Sequence, residues 1–227
     1  MPSPDVPADE RADRPLPGRK REARANDTAV LAAAREVFAA QGHGASMADV
    51  ARHAGVGVGS VYRRYPTKEA LVEALRVHGV RQAARLAAEV ADEFAATAPE
   101  QAGDGAVGAF LTRQITGASG PILRPTGATG PLPKDLAAAT AELHAGLGRL
   151  IAHDRAAGLL PEGFTTADVM QLLLHLRPTL PFPRAEADAL HLRYLRLVLA
   201  GLRAGARDDV GLGDGPSWDE WVGAWHD

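Results

Sequence analysis

The stretch Ser46–Leu71, SMADVARHAGVGVGSVYRRYPTKEAL, decides the fold. Ser46 stands three residues ahead of Asp49, the spacing at which a hydroxyl and a carboxylate cap a helix start reciprocally. Met47, Val50 and Ala51 give that helix one apolar side, and His53-Ala54-Gly55 ends it. Gly55 is free to take the left-handed conformation that a tight turn demands. A second short helix follows over 58–64 and is closed by Pro66, after which Thr67 caps a long helix running to about residue 96. Upstream, Val30, Ala33, Ala34, Val37 and Phe38 recur every three or four residues, a packing helix over 25–41. Two short helices about a glycine turn, set after a packing helix, make a helix-turn-helix. Ala51 and Val56 lie inward on either side of the turn, and Val61 points back to the core.

Composition sets limits around that unit. The 227 residues are 46 % apolar, enough for one large domain or two smaller ones. No run approaches the roughly 20 apolar residues of a membrane span, so no membrane partner is expected. There is no cysteine, which excludes disulfides, thiolate metal sites and thiol nucleophiles. Residues 1–17 hold five prolines and no secretory apolar stretch, so 1–18 are expected as a disordered tail of a cytoplasmic protein. The net charge of −3 argues, on its face, against a polyanionic partner. Its distribution reverses that. Eleven basic against eight acidic side chains give residues 1–68 a net +3, which leaves −6 for the remainder.

An α-helix fits the major groove of B-DNA and reads bases mainly from its first turns. Here those turns carry Val58, Gly59 and Ser60, then Arg63 and Arg64. Val58 suits a thymine methyl, Gly59 lets the backbone approach, and Ser60 bonds a base or a phosphate. Arg63 or Arg64 suits guanine, at roughly 1–3 kcal/mol of discrimination. Lys68, in the first turn of the next helix, adds its charge to free N–H groups and a helix dipole, a phosphate clamp with Thr67 beside it. Arg19, Lys20, Arg21 and Arg24 form a basic arm that either reaches the minor groove and flanking phosphates or is a solvated tail.

From Leu31 to Leu75 the chain resembles the DNA-binding domain of TetR-family repressors. The likeness rests on A-x-x-x-F in the packing helix, S-M-x-D-V-A, A-G-V-x-x-G-S-V-Y and Y-P-T-K-E-A-L. It implies an all-α homodimer: a three-helix DNA-binding domain over 19–68, then a larger helical effector-binding and dimerisation domain over 69–227. It also implies that Tyr62 gives its hydroxyl to a phosphate and that Tyr65 packs. The DNA-contacting set is then Arg24, Ser46, Val58, Gly59, Ser60, Tyr62, Arg63, Arg64, Thr67 and Lys68. Three positions depart from the pattern. Gly57 replaces a capping serine, Val58 a polar base reader and Ala45 a threonine.

Beyond the head the helical period continues. The long helix shows a stripe, Leu71, Leu75, His78, Gln82, Leu86, Val90 and Phe94. Its two polar members either line a cavity or lie exposed near the junction. A short helix is expected over 105–116 with Val107, Phe110, Leu111 and Ile115, and then a Gly- and Pro-rich loop. Leu136, Leu143, Leu147, Leu150 and Ile151 mark the next helix, which stops at Gly158. Thr165 and Asp168 cap a helix so leucine-rich, from Val169 to Leu176, that it must be central. In the helix over 184–205, Arg193, Arg196, Arg203 and Arg207 share one narrow face. The remaining apolar surface is wide enough to suggest burial against a second subunit through Leu192, Leu195, Leu199 and Leu202, the alternative being complete burial inside the monomer. Ser217 and Glu220 cap a last short helix that carries Trp218, Trp221 and Trp225.

No H-E-x-x-H or G-x-S-x-G occurs, and His144, His153, His175 and His191 lack metal-ligand spacing. No catalytic residue, metal or cofactor is therefore expected. The effector pocket implied by the resemblance is drawn from His78, Gln82, Phe110, Met170, His175 and Tyr194. The expected function is a repressor that binds a pseudo-palindromic DNA operator as a dimer and is released by a small molecule. A constitutive or architectural DNA-binding protein without an effector, and a helical enzyme with a DNA-binding head, are the alternatives.

Overall fold

The computed structural model describes residues 17–96, 103–117, 132–178 and 180–224. The side chains of residues 17–26 and of His43 lie outside that description. Among the described residues the regular structure is wholly helical. The elements are α1 (Pro17–Gln41), α2 (Met47–His53), α3 (Val58–Arg64), α4 (Lys68–Ala95) and α5 (Gly105–Gly117), then α6 (Lys134–Ala156), α7 (Thr166–Leu176), α8 (Arg184–Arg207) and α9 (Trp218–Gly223). A 3-10 turn, Gly42–Gly44, links α1 to α2. The chain divides into two compact units after Leu71. No described helix is long and apolar enough to cross a membrane.

In the first unit α1 starts at Pro17, eight residues ahead of the expected start. Proline suits a first helical position, since its φ is preset and its missing N–H has no role there. Arg19 to Arg24 are mostly strong helix formers, so the expected arm has a helical backbone. Residues 1–16 of the expected tail lie outside the described residues.

The core of this unit joins Val30, Ala34, Val37 and Phe38 of α1 to Met47, Val50 and Ala51 of α2 and Val61 of α3. Burying a side chain such as Val50 or Val61 contributes about 1.5–3 kcal/mol. The Ser46–Asp49 capping box is present in full, and Gly55 has φ +68°.

In the second unit α7 is enclosed as expected, exposing only His175, and α5 packs centrally beside it. Val107, Phe110, Leu111 and Ile115 are wholly buried, and α6, α7 and α8 all pack on α5. Its start is held by a carboxylate 47 residues away in the chain. Asp154, buried on α6, accepts the N–H groups of Ala106 at 2.7 Å and of Val107 at 2.8 Å. The preceding Gly105 has φ +81°, and a Cβ added there would meet the Asp154 Oδ2 at 2.5 Å. Only glycine serves at that point. His153 Nδ1 lies 3.0 Å from the same carboxylate, its ring edge-on to Phe94.

The α8 leucines require a correction. Leu195 and Leu199 are buried in their own domain's core, and Leu192 and Leu202 pack against it. The other helices of the same unit cover Leu195 and Leu199, so these two are not open to a partner, while Leu192 and Leu202 are half-buried. What α8 leaves outward is a different strip, with Tyr194 52 % and Leu197 59 % exposed.

The capping boxes of Thr165–Asp168 and Ser217–Glu220 are both formed. Trp218 stacks on His144 and on Trp221, and the Trp221 indole donates to Gln171 at 3.3 Å, which docks α9 on α6 and α7. Trp225 lies outside the described residues.

Candidate nucleic-acid interface

Capping and packing together set the attitude of α3. The Asp49 backbone N–H donates to Ser46 Oγ at 3.1 Å, while the Asp49 carboxylate accepts the Ser46 N–H at 3.1 Å and hydroxyl at 2.6 Å. Chiefly through that hydroxyl, with help from the Ser46 N–H and Arg52, the Asp49 carboxyl is held below its ordinary range. The Ser46 hydroxyl is thereby engaged inside the cap. Arg52 pairs with Asp49 on the surface of α2. His53 Nε2 meets Glu36 at 2.6 Å, which fastens α2 to α1.

With Val61 and Tyr65 inward, helical geometry turns the opposite side of α3 to solvent. Val58 is 44 % and Tyr62 49 % exposed, a large apolar and an aromatic surface on a seven-residue helix. Gly59 and Arg63 complete that outward side. Gly57 begins α3 without a side-chain hydrogen bond, as expected from its replacing a capping serine. Arg63 reaches Ser60 Oγ at 3.5 Å and makes no ion pair among the described residues.

The two adjacent arginines are therefore not equivalent. Arg64 is 63 % exposed at its side chain and donates to Asp27 of α1 at 2.6 Å. The nearby Tyr65 phenol is pushed above its ordinary value, by burial first and then by the Asp27 charge, with Arg64 opposing. Asp27, Arg64 and Tyr65 are one cluster on the α1 flank of α3. Asp27 went unremarked in the sequence because nothing local links positions 27 and 64.

Lys68 begins α4, with its ammonium 5.5 Å from the centroid of the Phe38 ring. Thr67 Oγ1 accepts the Ala70 N–H at 3.1 Å, so it caps the helix as expected. Arg24 sits on the α1 backbone, and its side chain is among those not described. Ser60, Tyr62, Arg63, Val58 and Gly59 thus share one short helix, and Thr67 and Lys68 follow directly at the start of the next.

The residues expected to line an effector pocket do not converge. Phe110 and Met170 are packed into the core of the second unit, while Gln82, His175 and Tyr194 face solvent and His78 is half-buried. His175 Nε2 is engaged with Gln171 at 3.2 Å. A groove of about 430 Å³ does lie on this unit, lined by Val198, Gly201, Leu202 and Gly205 of α8 with Pro161 and Val210. None of the six expected residues lines it. The apolar positions of α8 and the chain after it offered that groove to a sequence reading, but only the fold of residues 208–212 back along α8 forms it.

Residues 30–75 match the family described as bacterial regulatory proteins, tetR family. No curated protein matches the chain. Among solved structures, a TetR transcription regulatory protein from Mycobacterium vanbaalenii is 29 % identical, covering 82 % of this chain and 99 % of its own, with a TM-score of 0.53. A TetR transcriptional regulator from Streptomyces coelicolor is 28 % identical, covering 78 % and 98 %, with a TM-score of 0.50.

Proposed function

From the match of residues 30–75 and the likeness to solved TetR regulators, we propose that the chain is a DNA-binding transcription regulator of the tetR family and that it is a repressor. It binds a pseudo-palindromic operator as a homodimer and leaves it when a small molecule occupies the second unit. The observation that carries this reading is the outward side of α3. A helix seven residues long that exposes Val58 and Tyr62 beside Gly59 and Arg63 is poorly explained by folding alone, since large apolar and aromatic side chains there cost solvation. It is well explained by a major groove, where Val58 meets a thymine methyl and Arg63 a guanine.

Dimerisation is assigned to the outward strip of α8, Leu190, Tyr194, Leu197 and Gly201, in place of the leucines spent on the core. Two copies of the head then face successive major grooves about one helical turn apart. Release follows if the effector favours a dimer whose heads no longer match that spacing, as differential affinity for two states requires. The acidic second unit is repelled by phosphates, which leaves the basic head to make contact.

Selection of bound duplexes from a random pool tests the reading. Enrichment of an inverted repeat is expected, and a compound screen for release from it should then find effectors. Failure to enrich any sequence refutes operator binding. Binding that no compound releases favours the constitutive alternative.

A further inference from the structure

Arg63 and Arg64 are neighbours in the sequence, yet the fold gives them opposite settings. Relative to the buried Val61, Arg63 lies about 160° around α3 and Arg64 about 60°. Arg63 is therefore near the middle of the outward side, whereas Arg64 is on the flank that faces α1. There it meets Asp27, whose side chain is 29 % exposed, at 2.6 Å. α1 packs chiefly on α2 and α2 on α3, so this ion pair is a direct tie between the first and third helices. The Asp27 carboxylate takes one terminal N–H donor of the Arg64 guanidinium, a donor that a phosphate would otherwise take.

We propose that Asp27 is a specificity-determining residue that acts as an internal stand-in for phosphate, holding Arg64 off the DNA backbone so that Arg63 alone reads bases from this pair. This deepens the operator-binding reading and rests on it. A phosphate contact adds affinity for every sequence equally, whereas a base contact adds it for one. A second arginine loose at the edge of α3 would strengthen binding to all duplexes and so dilute the preference for the operator. Pairing it within the head removes that indiscriminate contribution and keeps α3 docked at a fixed angle.

The test compares the native protein with Asp27→Asn and with the charge-neutral double variant Asp27→Asn/Arg64→Gln. Each is titrated against a random-sequence duplex and the selected operator from about 50 to 200 mM salt, and each is run on immobilised heparin. Asp27→Asn should steepen the salt slope on random duplex by about 0.9, an extra loss of roughly threefold across that range. Its preference for operator over random duplex should fall, and it should leave heparin at higher salt than the native protein. The double variant should return the slope and the heparin elution to native values and keep the native base preferences.

A double variant with a slope shallower by about one contact would show that Arg64 already holds a phosphate, and would overturn the proposal. Loss of preference at one base pair in that variant would show Arg64 to be a base reader, with the same consequence. Asp27→Asn that weakens both duplexes alike at the native slope would reduce the pair to a structural tie. Should Asp27→Asn fail to fold, the double variant against the native protein still decides. A native protein that binds no duplex sinks operator binding, while heparin elution still reports whether Arg64 is masked.

Discussion

Replacing Asp154 by alanine should unfold the second unit far more easily than the loss of one surface carboxylate would. The native carboxylate accepts two backbone N–H groups, from Ala106 and Val107, at 2.7 and 2.8 Å. Both donor residues are wholly buried, so water cannot take its place. Each stranded buried donor costs about 1–3 kcal/mol, and removing the acceptor also loses a charged cap at a helix start. The sum is about 3–5 kcal/mol, and α5, which carries Phe110 and Leu111, is the helix that loosens. For a chain of this size about 2–4 °C is lost per kcal/mol, so the midpoint should drop by roughly 6–20 °C.

Asp154→Asn should cost roughly half as much. Its amide oxygen still accepts one N–H while its NH2 opposes the other. Gly105→Ala attacks the same lock from the far side, because its Cβ would sit 2.5 Å from the carboxylate oxygen at a φ of +81°. The double variant should then cost less than the two single changes added together. Tryptophan fluorescence is the suitable probe, since all three tryptophans fall within residues 218–225 and report the second unit alone. A midpoint for Asp154→Ala within about 2–4 °C of native, the equivalent of about 1 kcal/mol, would refute the lock.

Other consequences are open to direct measurement. Burial holds the His191 imidazole below its ordinary value, with Asp188 opposing and Arg177 assisting. The unfolded chain therefore protonates first, so the contribution is full above about pH 6.5 and is lost as the pH falls toward the lower folded-state value. Urea midpoints at about pH 7.5 and 5.5 should differ less for His191→Leu than for the native protein; an equal difference would refute the assignment. Lys68→Ala should weaken all duplexes alike and flatten the salt slope, whereas Arg63→Ala should relax preference at particular base pairs; unchanged affinity and slope for Lys68→Ala would remove the clamp. Leu197→Asp should yield a monomer by sedimentation with little change in thermal stability, since Leu197 is outside the core; an unaltered dimer would place the interface elsewhere.

What the sequence made legible was local. Ser46 with Asp49, Thr165 with Asp168 and Ser217 with Glu220 each lie three residues apart, and each forms the box that this spacing specifies. Gly55 announces its turn in the same way. A contact between Asp154 and Gly105, or between Asp27 and Arg64, leaves no such mark, because its partners meet only when whole helices are in place. The α8 leucines show the intermediate case. A wide apolar surface on a helix states that something covers it, and says nothing of whether the cover is the same chain or another. Here Val107, Phe110, Leu111 and Ile115 of α5 are buried among neighbouring helices, and α8 turns Leu195 and Leu199 into the same core. That rotation of α8 leaves Tyr194 and Leu197 as the apolar surface free to meet a second subunit. Leu197→Asp and Leu195→Asp should accordingly separate the two roles, the first changing assembly and the second changing folding.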